Sequence, residues 1–260
     1  MKARYILLSC LMGLLVHTAF AQAPIEFIEN KGQWGDWFRY KAATQGGTVC
    51  LENDGFRYVL ADVDNNYKVD YYHHGQTRVK PILKFHVYKV TFLGAGKPEL
   101  VGERPQKVYY NYYLGNDMSR WKSGIHPMRS VNYNKLYDGI DMHVSSAKGN
   151  MEYDLIVKPQ ADASLVKMKF DGQDDIRIKN HNLVISTTVG QVTEMKPYAY
   201  QYINDTKVEV ACEYKLKGNV LTFEFPKGYD HSQQLFFTNV QNIQERCRSI
   251  YRSCCWLGRS

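Results

Sequence analysis

The tightest constraint on this chain is how often its turn signals recur. Gly46-Gly47, Asn53-Asp54-Gly55, Asp171-Gly172, Asn180-His181-Asn182, Val189-Gly190, Asn204-Asp205 and Lys217-Gly218-Asn219 cut it into short runs rich in aromatic and β-branched side chains. Such runs suit strands and are too brief for ordinary helices. Strands are expected at 38–43, 48–51, 56–61, 82–93, 107–114, 140–144, 151–157, 166–170, 175–178, 183–187, 198–203, 207–216 and 220–225. In 82–93, Leu83, Phe85 and Val87 share one parity while Val90 and Phe92 take the other, so a bulge is expected near Tyr88 and Lys89. A short helix is expected only at 160–165, after Pro159.

Many short strands at this spacing point to an all-β chain built as two consecutive antiparallel β-sandwich-like modules, with few or no helices after the leader. The cluster Gly94-Ala95-Gly96-Lys97-Pro98 marks a boundary, giving an N-terminal module at 22–96 and a second at 97–234. From about Leu235 the composition shifts toward Arg and Cys. The segment 235–260 is therefore read as an anomalous tail from a frameshifted or interrupted reading frame.

The first 21 residues read as a signal peptide. Lys2 and Arg4 precede an apolar run at 5–16, and Ala19 and Ala21 stand before a cut ahead of Gln22. The run falls short of the roughly 20 residues that a spanning helix needs, and no later run supplies a transmembrane segment. Leu7-Leu8-Ser9-Cys10 resembles a lipoprotein box, but the apolar run continues past Cys10. The chain is thus expected to be exported, to an extracellular or outer-membrane surface location via the periplasm. The net charge of +7 includes two charges that leave with the leader, and no compact Lys/Arg run appears, so nucleic acid is not an expected partner. A Cys50–Cys212 bridge is compatible with an oxidising compartment, as are two buried free thiols.

The opening Phe27-Ile28-Glu29-Asn30-Lys31-Gly32-Gln33-Trp34 resembles the start of an uncharacterised N-terminal domain of large Bacteroidota cell-surface proteins. Three further stretches are similar to that domain. They are Asn111 to Asp117 with Trp121, Tyr133 to Asp141 with Asp138 and Gly139, and Met151 to Pro159 with Glu152, Tyr153 and Asp154. The resemblance implies later SBBP propeller repeats or PKD modules, a gliding-motility-type sorting domain and type IX secretion. It carries no established activity.

Chemical candidates are few. Asp62, Asp64 and Asn66 imitate the start of an EF-hand loop, but Tyr67 stands at the glycine position and His73 at the closing glutamate. His73 and His74 are adjacent and would point to opposite faces of a strand. Asp138, Asp141, Glu152 and Asp154 form the best acidic set. A hairpin between 140–144 and 151–157 would bring Asp141 near Glu152 or Asp154, for acid–base chemistry or for calcium. The same residues also suit turn hydrogen bonds and solvent-facing strand positions. No nucleophile elbow, H-E-x-x-H or phosphate loop is present. Exposed aromatics can stack on sugar rings, so Trp34, Trp37, Tyr71, Tyr72 and Trp121 are candidates for a glycan site. The reading is a non-catalytic structural or adhesive module of an exported surface protein with no required cofactor. Surface glycans or other surface proteins are the expected partners; a carbohydrate-binding module and a glycoside-active enzyme are the alternatives.

Overall fold

The computed structural model describes residues 24–44, 46–62, 82–147 and 149–244, with backbone alone at 147 and 240–244. The chain is almost wholly strand. The first strands are β1 (Phe27–Glu29), β2 (Tyr40–Thr44), β3 (Gly47–Glu52), β4 (Gly55–Ala61) and β5 (Phe85–Phe92). Next come β6 (Glu99–Pro105), β7 (Tyr110–Tyr112), β8 (Lys122–Ile125), β9 (Met128–Tyr137), β10 (Ile140–Ala147) and β11 (Asn150–Val157). The remainder are β12 (Met168–Asp171), β13 (Asp175–Lys179), β14 (Asn182–Thr187), β15 (Gly190–Glu194), β16 (Tyr198–Ile203), β17 (Thr206–Val210), β18 (Glu213–Lys217), β19 (Val220–Glu224) and β20 (Leu235–Gln244). Helical backbone among the described residues is limited to single 3-10 turns at Met118–Arg120 and Ala163–Leu165. The second of these occupies the end of the short helix expected at 160–165.

Turn chemistry sets the hairpins. Asn180 and His181 join β13 to β14, and Asn204 and Asp205 join β16 to β17; all four have positive φ. Two successive left-handed residues make the turn whose twist matches a two-residue hairpin, and Asn and Asp tolerate that backbone best after Gly. Gly55 answers a different need. A Cβ there would lie 1.9 Å from the Val90 carbonyl oxygen of the neighbouring strand.

The registers are antiparallel and build two facing sheets. One runs β6-β9-β10-β11-β20-β16-β17. The other runs β1-β2-β3-β4-β5-β12-β19-β18. They are seamed where Phe27 of β1 meets Met128 of β9. Period-2 alternation sends Phe56, Tyr58, Tyr88, Val90 and Phe92 inward from one sheet and Val131, Tyr133, Tyr153, Leu155 and Phe237 inward from the other. Phe56 is the meeting point, with ring centroids 5.0 Å from Phe92, 6.0 Å from Tyr133 and 5.9 Å from Tyr153. Residues on both sides of the 94–98 segment contribute to this one hydrophobic cluster. That segment carries the chain from one sheet to the other.

Two local expectations are corrected. The register of β5 against β4 is unbroken from Phe85 to Thr91, so there is no bulge at Tyr88 and Lys89. Tyr88, Val90 and Phe92 set the inward parity, and Phe85 and Val87 stay on the outer face, about half exposed. The composition break near Leu235 also falls inside the folded unit rather than at its edge. Leu235 and Phe237 are buried, and β20 lies between β11 and β16 before its last four residues pair with β15. Through that contact β20 carries a third small sheet, β13-β14-β15.

Candidate functional site

The Glu29 to Trp34 stretch is a self-braced loop. Asn30 donates from Nδ2 to the carbonyls of Gly35 (2.6 Å) and Phe38 (3.1 Å), while its Oδ1 accepts from the backbone of Gly32 and Trp34. Gln33 is fully buried; it accepts from the Lys31 N–H at 2.7 Å and donates back to the Glu29 carbonyl at 2.7 Å. Gly32 supplies a φ of 102° that other side chains adopt poorly. Lys31 and Glu29 add a surface ion pair. The motif residues are thus needed to shape a loop.

That loop lays two tryptophans beside the outer face of the second sheet. Lys41 Nζ sits 3.8 Å from the Trp34 ring centroid, and the Arg57 guanidinium 4.9 Å from that of Trp37. Lys41, Cys50 and Arg57 are in register across β2, β3 and β4. Burial lowers the Lys41 pKa by desolvating the ammonium. Arg57 is also held by Glu52 at 2.6 Å.

β7 and β8 form a two-stranded ribbon of their own, and they extend the aromatic surface. Tyr112 packs edge-on to Trp34 at 4.9 Å, Tyr110 donates its hydroxyl to Glu26 at 2.9 Å, and Arg120 reaches the Gln33 carbonyl. Asp117 caps the 3-10 turn through the Ser119 N–H and hydroxyl, and these bonds lower its pKa. Trp121 donates Nε1–H to the Gly115 carbonyl and meets Tyr113 at 5.6 Å. Trp37, Val108, Tyr109, Tyr110, Tyr113, Leu114, Met118 and Trp121 are all exposed, Tyr109 and Tyr113 by 59% each. Exposed apolar and aromatic side chains crowded along one short ribbon and the loop beside it make this the candidate interaction site. Trp34 and Trp37 are joined through Phe38, Trp34 meets the ribbon at Tyr112, and Trp121 pairs with Tyr113, giving an aromatic ledge along the loop and the ribbon. The sequence reading passed over Tyr109, Tyr110, Tyr112 and Tyr113 as ligand contacts, although their crowding into five residues was the signal. Tyr71 and Tyr72 lie outside the described residues, as do Asp64, Asn66, Tyr67, His73 and His74.

The acidic set does not converge. The expected hairpin between β10 and β11 forms, but its register puts Asp141 opposite Ile156, Asp154 opposite His143 and Glu152 opposite Ser145. Asp141 and Asp154 are diagonal neighbours, roughly 7–8 Å apart at Cα. Asp141 is already engaged by Lys158 Nζ at 2.8 Å and the Lys135 N–H at 2.7 Å. Partial burial pushes its pKa up, but Lys158 and that N–H outweigh it, so the carboxyl is held ionised and is a poor proton donor. Glu152 accepts from the Thr238 hydroxyl at 3.0 Å. Asp138 and Gly139 form the β9–β10 turn, where Gly139 has φ 69°. Tyr153 is buried in the core. Among the described residues no three His, Cys, Asp or Glu side chains gather as a metal site.

A second aromatic group lies on the outer face of β16 and β20. Tyr200 stacks on Phe236 at 5.0 Å and takes Lys207 Nζ on its ring at 3.7 Å. With partners on the ring already, this is cross-strand packing, the ordinary means of stabilising a sheet.

Cys50 and Cys212 are both free and buried. Burial pushes Cys50 up to about 11 and Cys212 up to about 12 from an ordinary 9.0. At pH 8 the thiolate fraction is thus about a hundredfold below an ordinary thiol's for Cys50 and about a thousandfold for Cys212. Alkylation of the native chain at pH 8 should leave both unlabelled over the time in which urea-unfolded chain is fully labelled, as read by intact mass. Their contribution to stability is complete below pH 9 and lost as pH rises through 11 to 12.

Residues 27–237 match the profile of a family described as Domain of unknown function (DUF7948). The chain belongs to this family. The DUF7948 span opens on the first residue of β1 and closes inside β20, so it takes in the braced loop, the ledge and both sheets. No curated protein and no solved structure matches the chain. No helix among the described residues is long and apolar enough to cross a membrane.

Proposed function

We propose that this DUF7948 domain is a non-catalytic recognition module of an exported surface protein, an adhesive or structural unit whose ledge of Trp37, Tyr109, Tyr113 and Trp121 meets its partner. The carrying observation is the ledge itself: a braced loop and a separate two-stranded ribbon combine to hold large aromatic side chains in solvent, at the cost of leaving them unburied. Export rests on the leader read from the sequence. The engaged state of Asp141 supports a non-catalytic role over glycoside chemistry.

A carbohydrate ligand is the second reading, favoured by the exposed Trp121 and Tyr113 rings. Retention of the full mature chain on immobilised polysaccharides tests it, with and without calcium. If a glycan is the partner, Trp121→Ala together with Tyr113→Ala should reduce retention at least tenfold, and Asp141→Asn should leave it unchanged. Retention insensitive to the ledge, or release of reducing sugar that Asp141→Asn abolishes, contradicts the proposal.

A further inference from the structure

The ledge is charged as well as aromatic. Where the ribbon meets the braced loop, Arg120 Nη2 donates to the Gln33 carbonyl at 3.4 Å and Lys122 Nζ to the Ser119 carbonyl at 2.7 Å. The Lys122 stem runs over Gly32, where a Cβ would come within 3.4 Å of its Cε. Lys122 is also the register partner of Tyr112, the ring that meets Trp34, and Lys41 lies on that same indole. Arg120 and Lys122 therefore flank Trp121 in the sequence and stand against the loop that carries Trp34.

The acids of this region are already engaged. Asp117 accepts from the Ser119 N–H and hydroxyl, Glu26 accepts from the Tyr110 hydroxyl, and Glu29 pairs with Lys31. Arg57, the cation on the Trp37 ring, is neutralised by Glu52. Lys41, Arg120 and Lys122 differ: among the described residues their partners are neutral, a ring and two carbonyls. An ammonium that gives one proton to a carbonyl keeps two more, and a guanidinium held through one nitrogen keeps further donors for a planar anion.

With the ledge taken as the contact surface of the proposed function, we infer that its ligand is an acidic polysaccharide bearing uronate or sulfate groups. Its sugar faces lie on Trp121 and Tyr113, and its acid groups reach Arg120 and Lys122. A lipid surface fits less well. The turn between the ribbon strands, which would have to enter it, carries Asn116 and Asp117, and the bonds from Ser119 hold the Asp117 carboxyl below the ordinary carboxylate range. That charge would have to pass into an apolar layer.

The test compares the affinity of the full chain for polygalacturonate, dextran sulfate, unmodified dextran and phosphatidylglycerol vesicles. Binding to at least one acidic polymer, weakened by added salt and absent with dextran, is expected. Arg120→Gln with Lys122→Gln should weaken it about tenfold or more. Lys215→Gln with Lys217→Gln removes the same charge from β18, at the edge of the second sheet opposite β1, and should change it less than about twofold. The charge-keeping pair Arg120→Lys with Lys122→Arg should retain binding; a loss there means a displaced loop rather than a missing charge, and overturns the inference. Equal losses in the two Gln pairs, vesicle binding in place of polymer binding, or no binding to either acidic polymer also overturns it. Dextran binding that needs Trp121 and Tyr113 but ignores Arg120 and Lys122 overturns it while leaving the ledge standing. Polymer binding that Trp121→Ala with Tyr113→Ala does not change removes the ledge as well.

Discussion

Ending the chain after Gln234 should abolish cooperative folding. β20 is an interior strand, paired to β11 on one side and to β16 and then β15 on the other. Removing it strips two fully buried side chains, Leu235 and Phe237, each worth about 1.5–3 kcal/mol. It also leaves Tyr153 and Glu194 without Asn239 and opens three strand edges. Together with the lost ladder bonds this approaches or exceeds the roughly 5–15 kcal/mol total stability of an ordinary domain. Urea denaturation followed by far- and near-ultraviolet circular dichroism checks the truncated chain against the full one; a cooperative transition in the truncated chain would refute the placement of β20.

Phe56→Ala should have the largest effect of any single truncation at the sheet interface, a loss of about 3–5 kcal/mol. Phe56 is 1% exposed and meets Tyr58, Phe92, Tyr133 and Tyr153, so it bridges both sheets. The surrounding rings are large and wedged by hydrogen bonds, such as that from the Tyr133 hydroxyl to the Glu52 carbonyl at 2.9 Å, and cannot easily collapse into the space. Tyr202→Ala, at a half-exposed outer position, should cost under about 1 kcal/mol. The contrast in urea midpoint between the two variants is the check. Similar losses would mean that the sheets do not share one core.

The strands were legible because period-2 alternation and turn residues are local properties. Asn180-His181 and Asn204-Asp205 announced their hairpins, and the β10–β11 pairing could be read from 140–144 and 151–157. Partnership across long separations was not legible. Nothing local in Leu235 to Gln244 says that it slots between β11 and β16, so the Arg- and Cys-bearing residues that follow it draw the boundary too early. The parity change at Tyr88 misled for a related reason: Phe85 and Val87 look like core residues but lie on the outer face. The candidate site was half visible. Trp34, Trp37 and Trp121 were identifiable as aromatics able to bind, but only the fold shows that Gln33 and Asn30 are braces and that the 109–113 tyrosines complete the surface. Glu194 gave no signal, being one glutamate in a polar strand.

The most direct measurement is hydroxyl-radical footprinting of the full chain, alone and mixed with intact cell-surface material from the producing organism. The ledge account predicts protection concentrated at Trp37, Tyr109, Tyr113, Met118 and Trp121, with Tyr198 and Tyr202 on the far strip unchanged. Protection centred on the strip, or on Asp141 and its neighbours with the ledge still reactive, would contradict it.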